Sequence, residues 1–161
     1  MLFRSGEDGA FITTAIDGDG VRREFRSAKA VLATGYYDVP NLLNVPGEDL
    51  PKVIHYYKEP HPYYNHDVLV VGAKNSAAIA ALELWWNGAR VTMVHRGEGI
   101  HHHVKYWIKP NIENRIKNNE IPAYFRSTIK EIRHKSVVLS TPEGEREIKN
   151  DFVLEIGRAH V

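Results

Sequence analysis

The chain has 161 residues, 21 Lys plus Arg against 20 Asp plus Glu, and a formal net charge of +1 at neutral pH. That near balance argues against a nucleic-acid or membrane-surface role, and no apolar run approaches the roughly 18 residues of a membrane span. Cysteine is absent, so the chain holds no disulfide, thiolate nucleophile or dithiol redox centre of its own. With no signal-peptide pattern at its start, it reads as a soluble cytoplasmic protein of one or two domains.

In chain order, residues 11–16 and 21–25 are β-rich runs on either side of Asp17-Gly18-Asp19-Gly20, a hairpin signal. Residues 30–33 read as a short apolar strand ending at Thr34-Gly35, and residues 36–51 as a loop or interdomain connection. Residues 67–71 form a strand. Residues 75–87 form a helix with Ile79, Leu82 and Trp86 on one stripe, Asn75 or Ser76 as its cap and Gly88 at its C-terminal end. Residues 91–94 are the next strand. Val104, Ile108, Ile112 and Ile116 recur at helical spacing, and Pro110 must kink or restart that helix. Residues 121–125, 128–133, 137–140 and 145–148 are short strands, with a turn at 141–144. Residues 151–154 begin another strand.

The termini read differently. Residues 155–161 can be encoded by GAG ATC GGA AGA GCA CAC GTC, which contains a string resembling a sequencing-library adapter. Its reverse complement, read from a GTG start, encodes residues 1–5. Both ends are therefore set aside from fold reasoning, and the expectation is an internal fragment whose native part runs from Gly6 to Leu154.

The chemistry concentrates after the strand at 67–71. A strand, a glycine turn, a helix and a second strand make the first half of a dinucleotide-binding βαβ unit. Gly72 allows the sharp turn and the close approach of a pyrophosphate, and the first free NH groups of the helix favour its charge. The usual Gly-x-Gly-x-x-Gly/Ala pattern here is Gly72-Ala73-Lys74-Asn75-Ser76-Ala77. Ala77 keeps the third small position. Lys74 replaces the second glycine and places an ammonium beside the pyrophosphate. An NAD-selective site carries Asp or Glu at the end of the second strand; this chain has His95-Arg96. Arg96 favours a 2′-phosphate by about 1.5–3 kcal/mol, or one to two powers of ten. The same strand–turn–helix also occurs in ordinary α/β cores, where Arg96 would be a solvated surface residue.

The run His101-His102-His103 invites a metal reading, but adjacent histidines on a helix or strand point apart. It reads as a surface run or a basic rim near a cofactor phosphate, with no metal. Trp85, Trp86 and Trp107 read as core or domain-interface packing.

Together these residues resemble the pyridine-nucleotide disulfide oxidoreductase superfamily in its thioredoxin-reductase-like branch. Leu32-Ala33-Thr34-Gly35 resembles the strand end that closes the flavin domain, and Val45-Pro46-Gly47-Glu48 the loop that follows. Residues 70–77 resemble the nucleotide loop, and His95-Arg96 the start of an H-R-R-x-x-x-R phosphate motif in which Gly97 and His101 replace the later arginines. The stretch at His55-Tyr56-Tyr57-Lys58 stands where thioredoxin reductases carry Cys-x-x-Cys, so this is not a thioredoxin reductase. The wording of residues 36–40, 55–60, 82–85 and 105–108 is similar to YpdA-type bacillithiol disulfide reductases, along most of the chain.

The resemblance implies an α/β fold: a Rossmann-like, three-layer ββα NAD(P)H-binding domain at 52–154, preceded at 6–51 by the trailing β-rich part of an FAD-binding domain and its hinge. It implies NADPH, FAD in the full-length parent, and reduction of a small-molecule disulfide such as bacillithiol disulfide; a homo-oligomeric parent is compatible with it. The cofactor-binding residues it implies are Gly72, Ala73, Lys74, Asn75, Ser76, Ala77, His95, Arg96 and His101, with Thr34 and Gly35 at the flavin side. No catalytic residue is identified, and the fragment alone is expected to be inactive. A ferredoxin–NADP reductase, a flavin monooxygenase or a catalytically inert NADP-binding module are the alternatives.

Overall fold

The computed structural model describes the backbone of residues 2–5 and residues 9–31, 33 and 40–156 in full. The chain divides into two compact units, Met1–Tyr36 and Tyr37–Val161.

The first unit is a three-stranded antiparallel sheet of β1 (Leu2–Ser5), β2 (Phe11–Ile16) and β3 (Arg22–Ser27), in that order. The Asp-Gly signal forms the expected hairpin turn. Asp17 holds it closed: its Oδ1 accepts the N–H groups of Asp19 at 3.1 Å and Val21 at 2.9 Å, and its Oδ2 accepts from Arg23 Nε at 2.9 Å. The expected strand at 30–33 is not formed. Ala30, Val31 and Ala33 lie outside any strand, and Val31 is 88% exposed. The described sheet ends at β3, and Ala30, Val31 and Ala33 join no ladder. Leu32, Thr34 and Gly35 fall outside the described residues.

The second unit is built on a five-stranded parallel sheet. Its members are β4 (Val53–Ile54), β5 (Asp67–Val71), β6 (Arg90–Val94), β7 (Ala123–Tyr124) and β11 (Phe152–Glu155), in the order β4-β11-β5-β6-β7. A parallel sheet covered on both faces needs nearly continuous apolar strands, and Val68, Leu69 and Val70 are all buried. Alternation divides their side chains between two cores. Val68, Val70, Val91, Met93 and Leu154 pack with α1 (Asn75–Trp86) and α2 (Lys109–Lys117). Leu69, Val94 and Val153 pack against an antiparallel sheet of β8 (Thr128–Ile132), β9 (Ser136–Thr141) and β10 (Gly144–Lys149). The result is a three-layer ββα unit with a Rossmann-like α/β fold. Pro110 restarts rather than kinks its helix, because it stands in the first turn of α2, where a missing N–H costs nothing. No helix among the described residues is long and apolar enough to cross a membrane.

Three sequence expectations need correction. The N-cap of α1 is Lys74, in extended conformation and without a side-chain bond; Asn75 is already helical, and its Oδ1 accepts the N–H of Lys105 instead. Of the tryptophans read as core or domain-interface packing, Trp86 and Trp107 are 58% and 57% exposed and lie outside the core, while Trp85 packs beside the helix-side core under the guanidinium of Arg115, 4.8 Å from its ring. The small residues Ala77, Ala78 and Ala81 form the buried face of α1 with Leu82 and Leu84, which brings the helix close to the sheet. Finally, β11 does not stop at Leu154. It continues to the buried Glu155, whose carboxylate lies 3.3 Å from His55 Nδ1.

The loop before β4 belongs to the packing of this unit. Leu43, Val45 and Leu50 pack on the β8–β10 side of the core. Lys52, in the turn that follows, crosses to the far end of the chain. Its Nζ donates to Asn150 Oδ1 at 2.7 Å and lies 3.3 Å from the carbonyls of His134 and Asn150. Burial holds the Lys52 ammonium below the usual lysine range, and the charge of Asp151 opposes that shift. Asn150 is 1% exposed, so Lys52→Met leaves a buried acceptor without its donor. The expected cost is about 1–3 kcal/mol, read as a lower urea midpoint, with Lys135→Met as an unaffected exposed control.

Candidate functional site

Three loops meet at the carboxyl ends of β5 and β6, which is where open α/β sheets hold ligands. After Val71 the chain turns through Gly72, Ala73 and Lys74 into α1. Gly72 donates its N–H to the carbonyl of Val94 at 2.9 Å, so the turn is fastened to the neighbouring strand. Its φ is +125°, and a Cβ there would stand 2.8 Å from the carbonyl oxygen of Ile156 and 3.3 Å from the Cβ of Ala77. The smallness of both Gly72 and Ala77 is therefore a packing requirement before any ligand is considered. Asn75, Ser76 and Ala77 occupy the first helical turn, whose N–H groups no intrahelical carbonyl can reach.

After β6, His95 and Arg96 leave the sheet. The N–H of His95 donates to Tyr124 O at 2.9 Å, and His95 O accepts from Ser127 N at 3.1 Å, so the residue is clamped between β7 and the residue that precedes β8. Gly97 has a reason the sequence did not reveal: a Cβ there would lie 2.6 Å from His95 Nε2. Glycine gives the imidazole its place. Burial holds His95 below the usual histidine range, reinforced by the positive charges of Arg96, His101 and Lys74. The glycine turn after β5 and the end of β6 thus converge on one electropositive corner.

A cavity of about 300 Å³ opens at this corner. Gly72, Ala73, Lys74, His95 and Arg96 line it together with Leu43, Val45 and residues 127–129. Of the residues expected at a cofactor, those five line the cavity itself. Asn75, Ser76 and Ala77 supply the helix turn above it. His101 is attached to the rim through its N–H, which donates to Ala73 O at 2.9 Å. The sequence reading missed the contributions of Ser127, Thr128 and Ile129, which nothing in a serine-threonine-isoleucine run announces. It also missed Leu43 and Val45, held in place by Glu48. The Glu48 carboxylate accepts the N–H groups of Leu43 and Asn44 at 2.6 Å each and of Val45 at 3.4 Å. Burial raises its pKa, and these backbone bonds together outweigh burial and hold it below the usual range.

The argument that neighbouring histidines point apart fails for His101, His102 and His103. They stand in a turn, not on a helix or strand, and their candidate ligand atoms all lie within 4.8 Å of one another.

A family model described as pyridine nucleotide-disulphide oxidoreductase matches residues 16–160. The chain belongs to that family. It is 45% identical over 142 residues to bacilliredoxin reductase Bdr of Bacillus subtilis, a match covering 86% of this chain and 43% of that protein. It is also similar to the structure of bacillithiol disulfide reductase Bdr (YpdA) from Bacillus cereus: 42% identity and a TM-score of 0.87 over 97% of this chain and 48% of that one. Thioredoxin reductase from Lactococcus lactis, at 22% identity, has a TM-score of 0.74 and shares the fold. The chain thus spans about half the length of these relatives or a little less.

Proposed function

We propose that this chain is the NADPH-binding part of an FAD- and NADPH-dependent oxidoreductase that reduces a low-molecular-weight disulfide such as bacillithiol disulfide. The observation that carries the reading is the corner where the glycine turn and the helix start meet Lys74, His95 and Arg96 over one cavity. Support for the substrate class comes from the relatives, whose names specify bacilliredoxin and bacillithiol disulfide reductase activity.

The residues fit a phosphorylated dinucleotide. The α1 N-terminus presents N–H donors and a favourable dipole to a pyrophosphate, and the Lys74 ammonium stands at the same turn. Arg96 offers a planar, always charged donor fork for the 2′-phosphate, and His95 adds a second donor when protonated. The apolar side chains of Leu43, Val45 and Ile129 line the cavity and reduce solvent access. NADPH, when bound, supplies hydride to a flavin held by the rest of the parent protein; the chain contributes position and electrostatics. Residues 6–51 would belong to the flavin domain and hinge, with Thr34 and Gly35 on the flavin side and the hinge residues Leu43, Val45 and Leu50 packed on the nucleotide domain of residues 52–154.

Calorimetry on the chain tests the phosphate assignment. NADPH is expected to bind about 10–100 times more tightly than NADH, and Arg96→Ala to remove most of that difference. Equal affinities for the two nucleotides, or an unchanged preference in Arg96→Ala, would overturn it.

A further inference from the structure

The three histidines between β6 and α2 form a cluster that the nucleotide site does not explain. His101 is hydrogen-bonded to the glycine turn through its backbone N–H. The imidazole rings lie together, with centroids 4.3 Å apart for His101 and His102, 4.1 Å for His102 and His103, and 5.0 Å for His101 and His103. His102 and His103 are exposed, so burial of their rings does not drive this grouping.

The turn geometry is what makes the convergence possible. Val104 donates its N–H to His101 O at 3.1 Å, closing the turn, and His101 is pinned from the other side by its bond to Ala73 O at 2.9 Å. Three consecutive side chains that a strand would send to alternating faces are thereby gathered on one side.

We propose that His101, His102 and His103 form a binding site for a divalent transition-metal ion of the zinc, nickel or copper class. Neutral imidazole is the ligand these ions favour, and three nitrogens within 4.8 Å of one another can close to the ~2.0–2.1 Å metal–nitrogen distance with small rotations about the side-chain bonds. A fourth position would remain open to water. Two features limit the affinity. His101 Nδ1 accepts the N–H of His103 at 3.2 Å. A metal on either nitrogen of a neutral His101 ring ends that bond, since the other nitrogen then carries the proton. Lys74 and Lys109 also act electrostatically on His101 and oppose an incoming dication. No carboxylate is needed in this ligand set, which keeps hard cations such as magnesium and calcium from competing.

The test is Zn²⁺ titration of the whole chain at pH 7.5, without nucleotide, against a chromogenic zinc chelator. Leaving the nucleotide out makes the result independent of the proposed cofactor. One equivalent is expected to bind, and His102→Ala and His103→Ala are each expected to weaken it by about tenfold or more. Control variants at the exposed His61 and His134 should leave the affinity unchanged. Circular dichroism establishes that each variant stays folded. Adventitious surface binding would appear as equal losses in the control variants. That outcome, an unchanged affinity in His102→Ala, or no binding at all would overturn the site.

Discussion

Gly47→Ala is expected to destabilise the second unit by about 3–5 kcal/mol, the largest effect of any glycine-to-alanine change among the described residues. The backbone at Gly47 has φ +82°, and a Cβ there would stand 1.9 Å from the carbonyl oxygen of Ile132. Left-handed backbone at a non-glycine residue costs about 1–3 kcal/mol, and forced overpacking about as much again. Here the obstruction is a main-chain oxygen at the end of β8, which cannot rotate away. The adjacent bond, in which Ile132 donates its N–H to Pro46 O at 2.8 Å, must stretch or break when the two segments part. The substitution also loosens the loop that Glu48 closes over Leu43, Asn44 and Val45. Urea denaturation followed by circular dichroism measures the loss. Gly99→Ala is the control: no atom lies within 4 Å of its Cβ position and its backbone has no positive φ, so a change within about 0.5 kcal/mol is expected. Equal midpoints for the two variants would show that the loop does not press on β8.

The contrast between Gly47 and the nucleotide turn shows what the sequence made legible. The strand at 67–71 and the helix after it were readable because apolar runs and a glycine punctuate them on the same local scale as the structure. The two-sided burial of β5 follows from its uninterrupted valines and leucine. The Pro-Gly-Glu loop resembled a family motif, but its physical role was not legible. That role depends on Ile132, 85 positions later, and no local pattern encodes a carbonyl so distant. The apolar run at 30–33 failed as a strand for the complementary reason: local propensity cannot supply a ladder partner. For the histidine run, the expectation that neighbouring side chains diverge did not apply, because of the backbone. A periodicity argument assumes a helix or a strand, and these residues occupy a turn. In the candidate site, charged and glycine positions were legible because their chemistry is unusual. Ser127, Thr128 and Ile129 were not, since they reach the cavity from the start of β8, far along the chain from the glycine turn, and no local pattern marks them.

Gly72→Ala is expected to reduce NADPH affinity by about 100-fold or more while leaving the chain folded, an outcome that separates the binding role of the turn from its packing role. The packing cost is real: φ is +125°, and the new methyl would meet Ile156 O at 2.8 Å and the Ala77 Cβ at 3.3 Å. The backbone conformation costs about 1–3 kcal/mol and the contacts about as much again, and the unit has two apolar cores to absorb the loss. Relief of the clash must move the turn away from the end of β11 or lift the first turn of α1 off the sheet. Either motion displaces the N–H groups at the helix start from the cavity, and it shifts Lys74 with them. Charge-assisted hydrogen bonds contribute about 1.5–3 kcal/mol each, so misplacing two of them accounts for a loss of two or more powers of ten. Calorimetry with NADPH, run at a temperature where circular dichroism shows the variant folded, measures it. A destabilised variant that still binds NADPH like the parent chain would leave Gly72 a packing residue only, and the pyrophosphate would have to be placed elsewhere in the cavity. Arg96→Ala provides the internal comparison. It should lose the preference for NADPH over NADH yet keep NADH binding, whereas Gly72→Ala should weaken both nucleotides together, because the pyrophosphate is common to them.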